Sequence, residues 1–262
     1  MQEESLIFPV VAIAGLPRVG SMWAFNVVRQ LFLAAGFNLI PDEVPQHDHS
    51  MDLAVKTYLE TGSKDTRCVV KVHTCLKVMP FLKVIRIRRD VRDRIFSFCR
   101  FTKTTFDEAL INEMVATSFA TDAYYDQWPT AGILNISFES IIDDSMAVIE
   151  EIAAFIGFMN IDGETLEMLD RQLSKQQVRQ KIDDLNRRVF SSADTLRQNV
   201  EPQSETVNFG PGEVRAFDIS TGFQSGHVSD YHRGDWKHLW SDEQKQMVDH
   251  AIRLAEKRLD IS

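Results

Sequence analysis

The sequence predicts an α/β fold, three-layer α/β/α with a central, mostly parallel sheet. Two observations carry this. The apolar run ending in Val10-Val11-Ala12-Ile13-Ala14 is continuous rather than alternating, as in a strand covered on both faces. The run stops at Gly15, turns through Pro17-Arg18-Val19-Gly20-Ser21 and enters a helical pattern at Trp23; strand-like and helical stretches keep alternating downstream. With 262 residues, 44% hydrophobic and 26% charged, the chain is long enough for one large α/β domain over 1–262.

Residues 7–14 are the first strand. From Trp23 to Ala35 the apolar positions Phe25, Val28, Leu31 and Phe32 recur at helical spacing, and Gly36 closes the helix. Phe37–Ile40 is a short strand, Pro41–Ser50 a polar loop and Met51–Glu60 a modest helix. His47 and His49 flank Asp48, but nothing nearby completes a ligand set, so this is a solvated or acceptor-binding loop rather than a metal site. Cys68–Thr74 is a β-branched strand and Leu82–Ile87 another. Phe106–Trp128 gives one or two helices, Gly132–Ser137 a strand, and Phe138–Ile142 turns into a helix running to Gly157. There Met146, Ile149, Ile152, Phe155 and Ile156 are spaced for core packing. Gly163–Arg188 is polar and helical. Residues 189–226, with Pro202, Gly210, Pro211 and Gly212, are too long for a simple connector, and 160–226 reads as a lid or substrate-binding insertion. Ser241 caps a C-terminal helix with an acidic first turn that runs to Leu259.

Three stretches carry chemistry. Gly15 and Gly20 have the G-x-x-x-x-G spacing of a P-loop, which aims backbone N–H groups and the positive end of a helix at an anion. Ser21 and Met22 stand where nucleotide-hydrolysing P-loops carry Lys and Ser/Thr, and a thioether is a poor ligand for Mg²⁺. The cation is Arg18, inside the loop, so this P-loop-like turn suits an anion transferred without a metal. Lys71 and His73 alternate onto one side of a strand near its C-terminal end, where open α/β sheets bind ligands. A lysine on a buried strand needs a partner or a ligand there. Arg88-Arg89-Asp90-Val91-Arg92-Asp93-Arg94 follows the next strand. Its ordinary reading is a solvated helix start with local ion pairs, but Asp90 suits an N-cap and the arginine forks suit a second anion.

The net charge of −9 argues against general nucleic-acid binding, so an anionic ligand must be held by a local basic cluster. Cys68, Cys75 and Cys99 are too few and scattered for a disulfide framework. No stretch reads as a signal peptide or bilayer span. A cytoplasmic protein without a membrane or nucleic-acid partner is expected.

Four segments, in this order, resemble the sulfotransferase superfamily, enzymes that use 3′-phosphoadenosine 5′-phosphosulfate (PAPS) as sulfonyl donor. Gly15–Trp23 is similar to the family's 5′-phosphosulfate loop, P-[KR]-[ST]-G-[ST]-[TS]-W, and Arg89–Ser97 to its 3′-phosphate motif, R-[ND]-P-[RK]-D-x-x-x-S. Phe138-Glu139-Ser140-Ile141 resembles Y-E-D-L, and Gly234-Asp235-Trp236-Lys237 resembles G-D-W-[KR]. The resemblance spans 7–157 and 227–258 and leaves 160–226 unmatched. It implies that Pro17, Arg18, Gly20, Ser21 and Met22 hold the 5′-phosphosulfate, that Trp23 packs on the adenine, and that Arg89 and Ser97 grip the 3′-phosphate. Arg233 and Gly234 fall at the C-terminal nucleotide contact. The family's K-x-H maps onto Lys71 and His73: His73 takes the proton from an acceptor hydroxyl or amine, while Lys71 and Arg18 stabilise charge on the sulfonyl and phosphate oxygens. PAPS is then the co-substrate, 3′,5′-adenosine bisphosphate (PAP) the product, and no metal is needed.

Departures from the pattern matter. Arg18 replaces the common lysine, Val19 and Met22 replace hydroxyl residues, and Val91 replaces a proline. Ser229-Asp230-Tyr231 stands where the family reads R-K-G, so Asp230 is expected to repel a 3′-phosphate, with His232 or Arg233 taking over or the loop sitting differently. Two other readings stay open: a degenerate member that binds PAPS or PAP without turnover, and a P-loop kinase. The acceptor, a small molecule or a carbohydrate, is not written in the sequence. Phe101, Phe106, Tyr124, Tyr125 and Phe190 are candidates to line its pocket, with core packing the ordinary assignment for each. A homodimer is compatible with the sequence.

Overall fold

The computed structural model describes residues 9–46, 49–159, 161–190, 205–209 and 213–259. His47, Asp48, Pro202, Gly210, Pro211 and Gly212 lie outside these, as does the side chain of His49.

The central sheet is five-stranded, ordered β2-β3-β1-β4-β5, and every pairing in it is parallel. Its strands are β1 (Val10–Ala14), β2 (Asn38–Ile40), β3 (Thr66–Val72), β4 (Leu82–Arg88) and β5 (Ile133–Ser137). Helix α1 (Ser21–Ala34) follows β1, and α2 (His49–Thr61) lies between β2 and β3. The long pair α3 (Val91–Thr102) and α4 (Glu108–Asp126) connects β4 to β5. After β5 come α5 (Phe138–Asp143), α6 (Ser145–Ile156), α7 (Gly163–Leu173) and α8 (Lys175–Phe190). A small antiparallel hairpin, β6 (Thr206–Asn208) and β7 (Val214–Ala216), precedes α9 (Trp236–Leu239) and α10 (Asp242–Leu259).

All five residues of β1 are fully buried, which explains the unbroken apolar run that marks it in the sequence. Phe25, Val28 and Phe32 of α1 close one face of the sheet, with α6 and α7 beside them. A second core unites Ile95 and Phe96 of α3, Ile111 and Val115 of α4, and Val248 and Ile252 of α10. Two charges are buried within the sheet, Lys71 of β3 and Arg86 of β4. Arg86 of β4 is buried; its Nη1 donates to Asp126 at 2.8 Å and its Nη2 to Asp122, so α4 supplies the carboxylates that a buried guanidinium requires.

Several boundaries differ from the sequence reading for identifiable reasons. The stretch from Phe138 to Gly157 is two helices. Asp144 sits at φ −154° between them and caps the second by accepting from Ala147 N–H. Met146, read as core, is 37% exposed, while Ile149, Ile152 and Ile156 are buried. Phe106–Trp128 contains one helix, started by the Asp107 cap on Leu110 N–H. Gly163–Arg188 breaks into two helices at Ser174. Ser241 does cap α10, in a reciprocal box with Gln244. Among the described residues no helix is long and apolar enough to cross a membrane, and Cys68, Cys75 and Cys99 are free thiols.

Candidate active site

The site lies at the C-terminal ends of β1, β3 and β4, where the strands flanking β1 lead away in opposite directions. The parallel register sets Ala14 beside Val72, so Gly15 and His73 emerge together, and Gly15 N–H donates to Val72 O at 3.1 Å. A Cβ on Gly15 would stand 2.7 Å from Val19 and 3.2 Å from the Ile87 carbonyl, so only glycine lets the loop turn this tightly between β3 and β4. The loop runs from Gly15 to Gly20 and ends at the N-terminus of α1. Trp23 N–H closes a turn onto Gly20 O, while no residue among those described accepts from the N–H groups of Gly20, Ser21 or Met22. That is the donor array of an anion cradle.

Gly20 is in the left-handed region, φ 92°, and a Cβ there would meet the Phe138 ring at 2.8 Å. Gly20→Ala is expected to destabilise the protein by roughly 1–3 kcal/mol and to weaken PAP binding, as read by melting temperature with and without PAP.

Arg18 is also left-handed, φ 74°, an uncommon state for a side chain with a Cβ. It is held there from every side. Its carbonyl accepts from Arg89 Nη1 at 2.9 Å, its Nε donates to Ser97 Oγ at 3.1 Å and its Nη2 donates to His227 O at 3.2 Å. The guanidinium also lies 4.2 Å from the Phe101 ring centroid. Burial, then the charges of Arg89 and Arg215, lower its pKa to about 10. Arg89 is itself stacked on Phe138 at 4.2 Å, and its pKa is lowered by burial.

Lys71 and His73 do share one side of the chain. His73 Nδ1 lies 2.5 Å from Gly15 O and its Nε2 lies 2.9 Å from Lys71 Nζ. A carbonyl can only accept, so Nδ1 carries the proton and Nε2 faces the lysine with its lone pair. The segment beyond His73 is braced by α4: Tyr125 Oη donates to Thr74 O, and Tyr124 Oη donates to Leu76 O. These two tyrosines therefore hold a loop rather than line a pocket. Phe106 packs on Trp240 in the second core.

The sequence reading missed a second imidazole. His227, on the segment that follows β7, is held neutral: burial, then the charges of Arg18, Lys71, Arg215 and His73, push its pKa well below the usual value. Its Nδ1 accepts from Gln224 N–H at 3.3 Å. The strap that carries it is tied to α1 by Asn26, whose Nδ2 donates to Met22 O and Thr221 O. Nothing in a lone histidine on an irregular stretch signals such a position.

The remaining expected site residues divide. Arg18, Gly20, Ser21, Lys71, His73, Arg89 and Ser97 converge on the loop. Pro17 is half-buried at its apex and Trp23 half-buried against the main core. Met22 packs its side chain with Val178, Ile182 and Phe223, and Val19 is a core residue. Gly234 N–H donates to Asp93 at the start of α3, while Arg233 pairs with Asp143 at 3.1 Å. Asp230 pairs with Arg179 at 2.7 Å. The pair is exposed and screened, so it offsets the charge of Asp230 only in part. Among the described residues no three His, Cys, Asp or Glu side chains cluster closely enough to hold a metal ion.

Fold and loop define an α/β protein with a P-loop-like turn at the C-terminal ends of its parallel strands. Residues 9–192 match the sulfotransferase domain family, and the chain belongs to that family. The match reaches beyond the block recognised by motif, which ended at 157, and stops before 227–258. Mouse sulfotransferase SULT7A1 complexed with PAP is similar in fold, with a TM-score of 0.60 over 96% of this chain and 88% of that chain at 15% identity. Retinol dehydratase, in complex with androsterone and inactive cofactor PAP, gives 0.58 over 95% and 81% at 16% identity. No curated protein matches the sequence.

Proposed function

We propose that this protein transfers a sulfonyl group from PAPS to a hydroxyl or amine of a small-molecule or carbohydrate acceptor, as one domain whose 160–226 stretch contributes the acceptor side. The observation that carries this is the Gly15–His73–Lys71 arrangement directly beside the phosphate loop. The loop N–H groups and Arg18 hold the phosphosulfate, and Arg89 and Ser97 the 3′-phosphate. Pro17 and Trp23 shape the donor site, and Gly234 anchors the 227–237 segment to α3 beside it. Arg233 takes part through that segment only, since its charge is already paired.

The acceptor oxygen or nitrogen attacks sulfur in line, forming the new bond as the bond from sulfur to the bridging phosphate oxygen breaks. His73 Nε2 receives the acceptor's proton and PAP leaves with the electron pair. For this, Lys71 must move its ammonium from Nε2 to the donor's oxygens, where it and Arg18 stabilise the charge that develops. The transfer as proposed uses no metal.

Thermal denaturation with PAP in EDTA tests the donor site. At a hundred times its dissociation constant PAP is expected to add about 2.7 kcal/mol of stability. Stabilisation by Mg·ATP alone would revive the kinase reading. Stabilisation by PAP with no sulfonyl transfer to any of a broad set of phenols, amines and sugars would mark a member that binds without turnover.

A further inference from the structure

Val72, Ala14 and Arg86 lie in one row across the sheet, because β3, β1 and β4 pair in parallel register. Beyond Val72 the chain leaves the sheet at His73, and residues 74–78 belong to no helix or strand. A side chain on the first residue past a strand is aimed only as well as the backbone that follows it is held.

Two adjacent tyrosines of α4 hold that backbone. The Tyr125 hydroxyl donates to Thr74 O at 3.2 Å and accepts from Leu76 N–H at 3.3 Å, so one oxygen spans two peptide groups. Tyr124 Oη donates to Leu76 O. Among the described residues no other group hydrogen-bonds the backbone of 74–78. Tyr125 is 1% exposed, edge-on to Tyr124 at 5.2 Å and packed on Trp128 at 5.5 Å between ring centroids, so its ring cannot swing away. Burial above all raises its pKa to about 12, which keeps the hydroxyl protonated and able to donate.

Helix α4 is in turn fixed to the row. Arg86 donates to Asp122 and Asp126, one on each side of the tyrosine pair in sequence, and through Nη1 to Asn135 of β5 at 3.3 Å. A closed circuit therefore runs from β4 through Arg86, α4 and the two hydroxyls to residues 74–76, and back through His73 and Gly15 to β1.

We propose that Tyr125, with Tyr124 beside it, is a positioning residue for His73: the two hydroxyls keep the imidazole on the Gly15 carbonyl, so that Nδ1 holds the proton and Nε2 stays open to receive another. The consequence for rate rests on the sulfonyl-transfer reading; the consequence for the imidazole does not. A ring released from Gly15 O samples the other tautomer, in which Nε2 already carries a proton and can take none.

Tyr125→Phe removes the oxygen and keeps the ring. In protein labelled with 15N at histidine, the His73 signals are those missing from His73→Ala, and the ring nitrogen shifts report the tautomer. The wild-type ring is expected in the Nδ1–H form, with and without PAP, and Tyr125→Phe is expected to move roughly a fifth or more of it to Nε2–H. With PAPS and the best acceptor of the phenol, amine and sugar set, kcat is expected to fall about tenfold or more, while KM for PAPS and the stabilisation by PAP are retained. Tyr124→Phe should show the same changes to a smaller degree, and it decides the matter if Tyr125→Phe fails to fold. An unchanged tautomer overturns the assignment even if kcat falls, since lost packing alone could lower kcat. A wild-type ring in the Nε2–H form, or a shifted tautomer with kcat intact, overturns it as well. If the tautomer shifts but the wild-type protein transfers no sulfonyl group from PAPS, the sulfotransferase reading falls and the positioning of His73 stands.

Discussion

His73→Ala is expected to lower sulfonyl transfer by about 10²–10⁴-fold while PAP still raises the melting temperature. The geometry separates the two effects. PAP would be held by the loop N–H groups, Arg18, Arg89 and Ser97, none of which uses the imidazole. The imidazole is instead oriented by Gly15 O, on the loop's own first residue, and offers Nε2 toward Lys71. Removing it therefore takes away the proton acceptor and the partner that keeps Lys71 poised, but leaves the cradle standing. Initial rates with labelled PAPS, set beside thermal shifts with PAP, check both halves. Activity above a tenth of wild type would move the base to His227, the other neutral imidazole coupled electrostatically to this cluster.

The loop side of the candidate site is legible in the sequence because it is local. Gly15 to Trp23 is one contiguous stretch, and Lys71 and His73 are fixed to one side by the two-residue period of a strand. Arg89 and Ser97 lie within one helix start. The fold follows for a similar reason: fully buried parallel strands must read as unbroken apolar runs, and β1 does. The stretch after β7 is different. Arg215 and His227 are brought to Arg18 from some 200 positions away by a strap whose conformation depends on partners such as Asn26 and Phe101. No period marks them. Nor does sequence alone show that Asp230 is answered by Arg179, which is contributed by α8 from a stretch without recognisable motifs.

Arg18→Met is expected to cost about 10²–10³-fold in turnover and to weaken PAPS binding, since it removes the one cation placed within the phosphate loop. Arg18→Lys provides the sharper test. Lysine restores the charge and matches the residue common in the family, yet one ammonium cannot reproduce the present fork. Nε is spent on Ser97, Nη2 on the His227 carbonyl, and the plane on Phe101, so Arg18 ties α3 and the strap to the loop as well as carrying the loop's charge. A pure charge requirement predicts near-complete rescue by lysine. The tie predicts an intermediate loss, about tenfold or more, together with a lower melting temperature. The pH profile adds an independent check on the charge. With its pKa lowered only to about 10, the guanidinium stays protonated through neutral pH, so no break between pH 6 and pH 8 should vanish in Arg18→Lys. A neutral-pH break that does vanish would show that Arg18 acts through a neighbouring imidazole, His227 being the one whose carbonyl it holds.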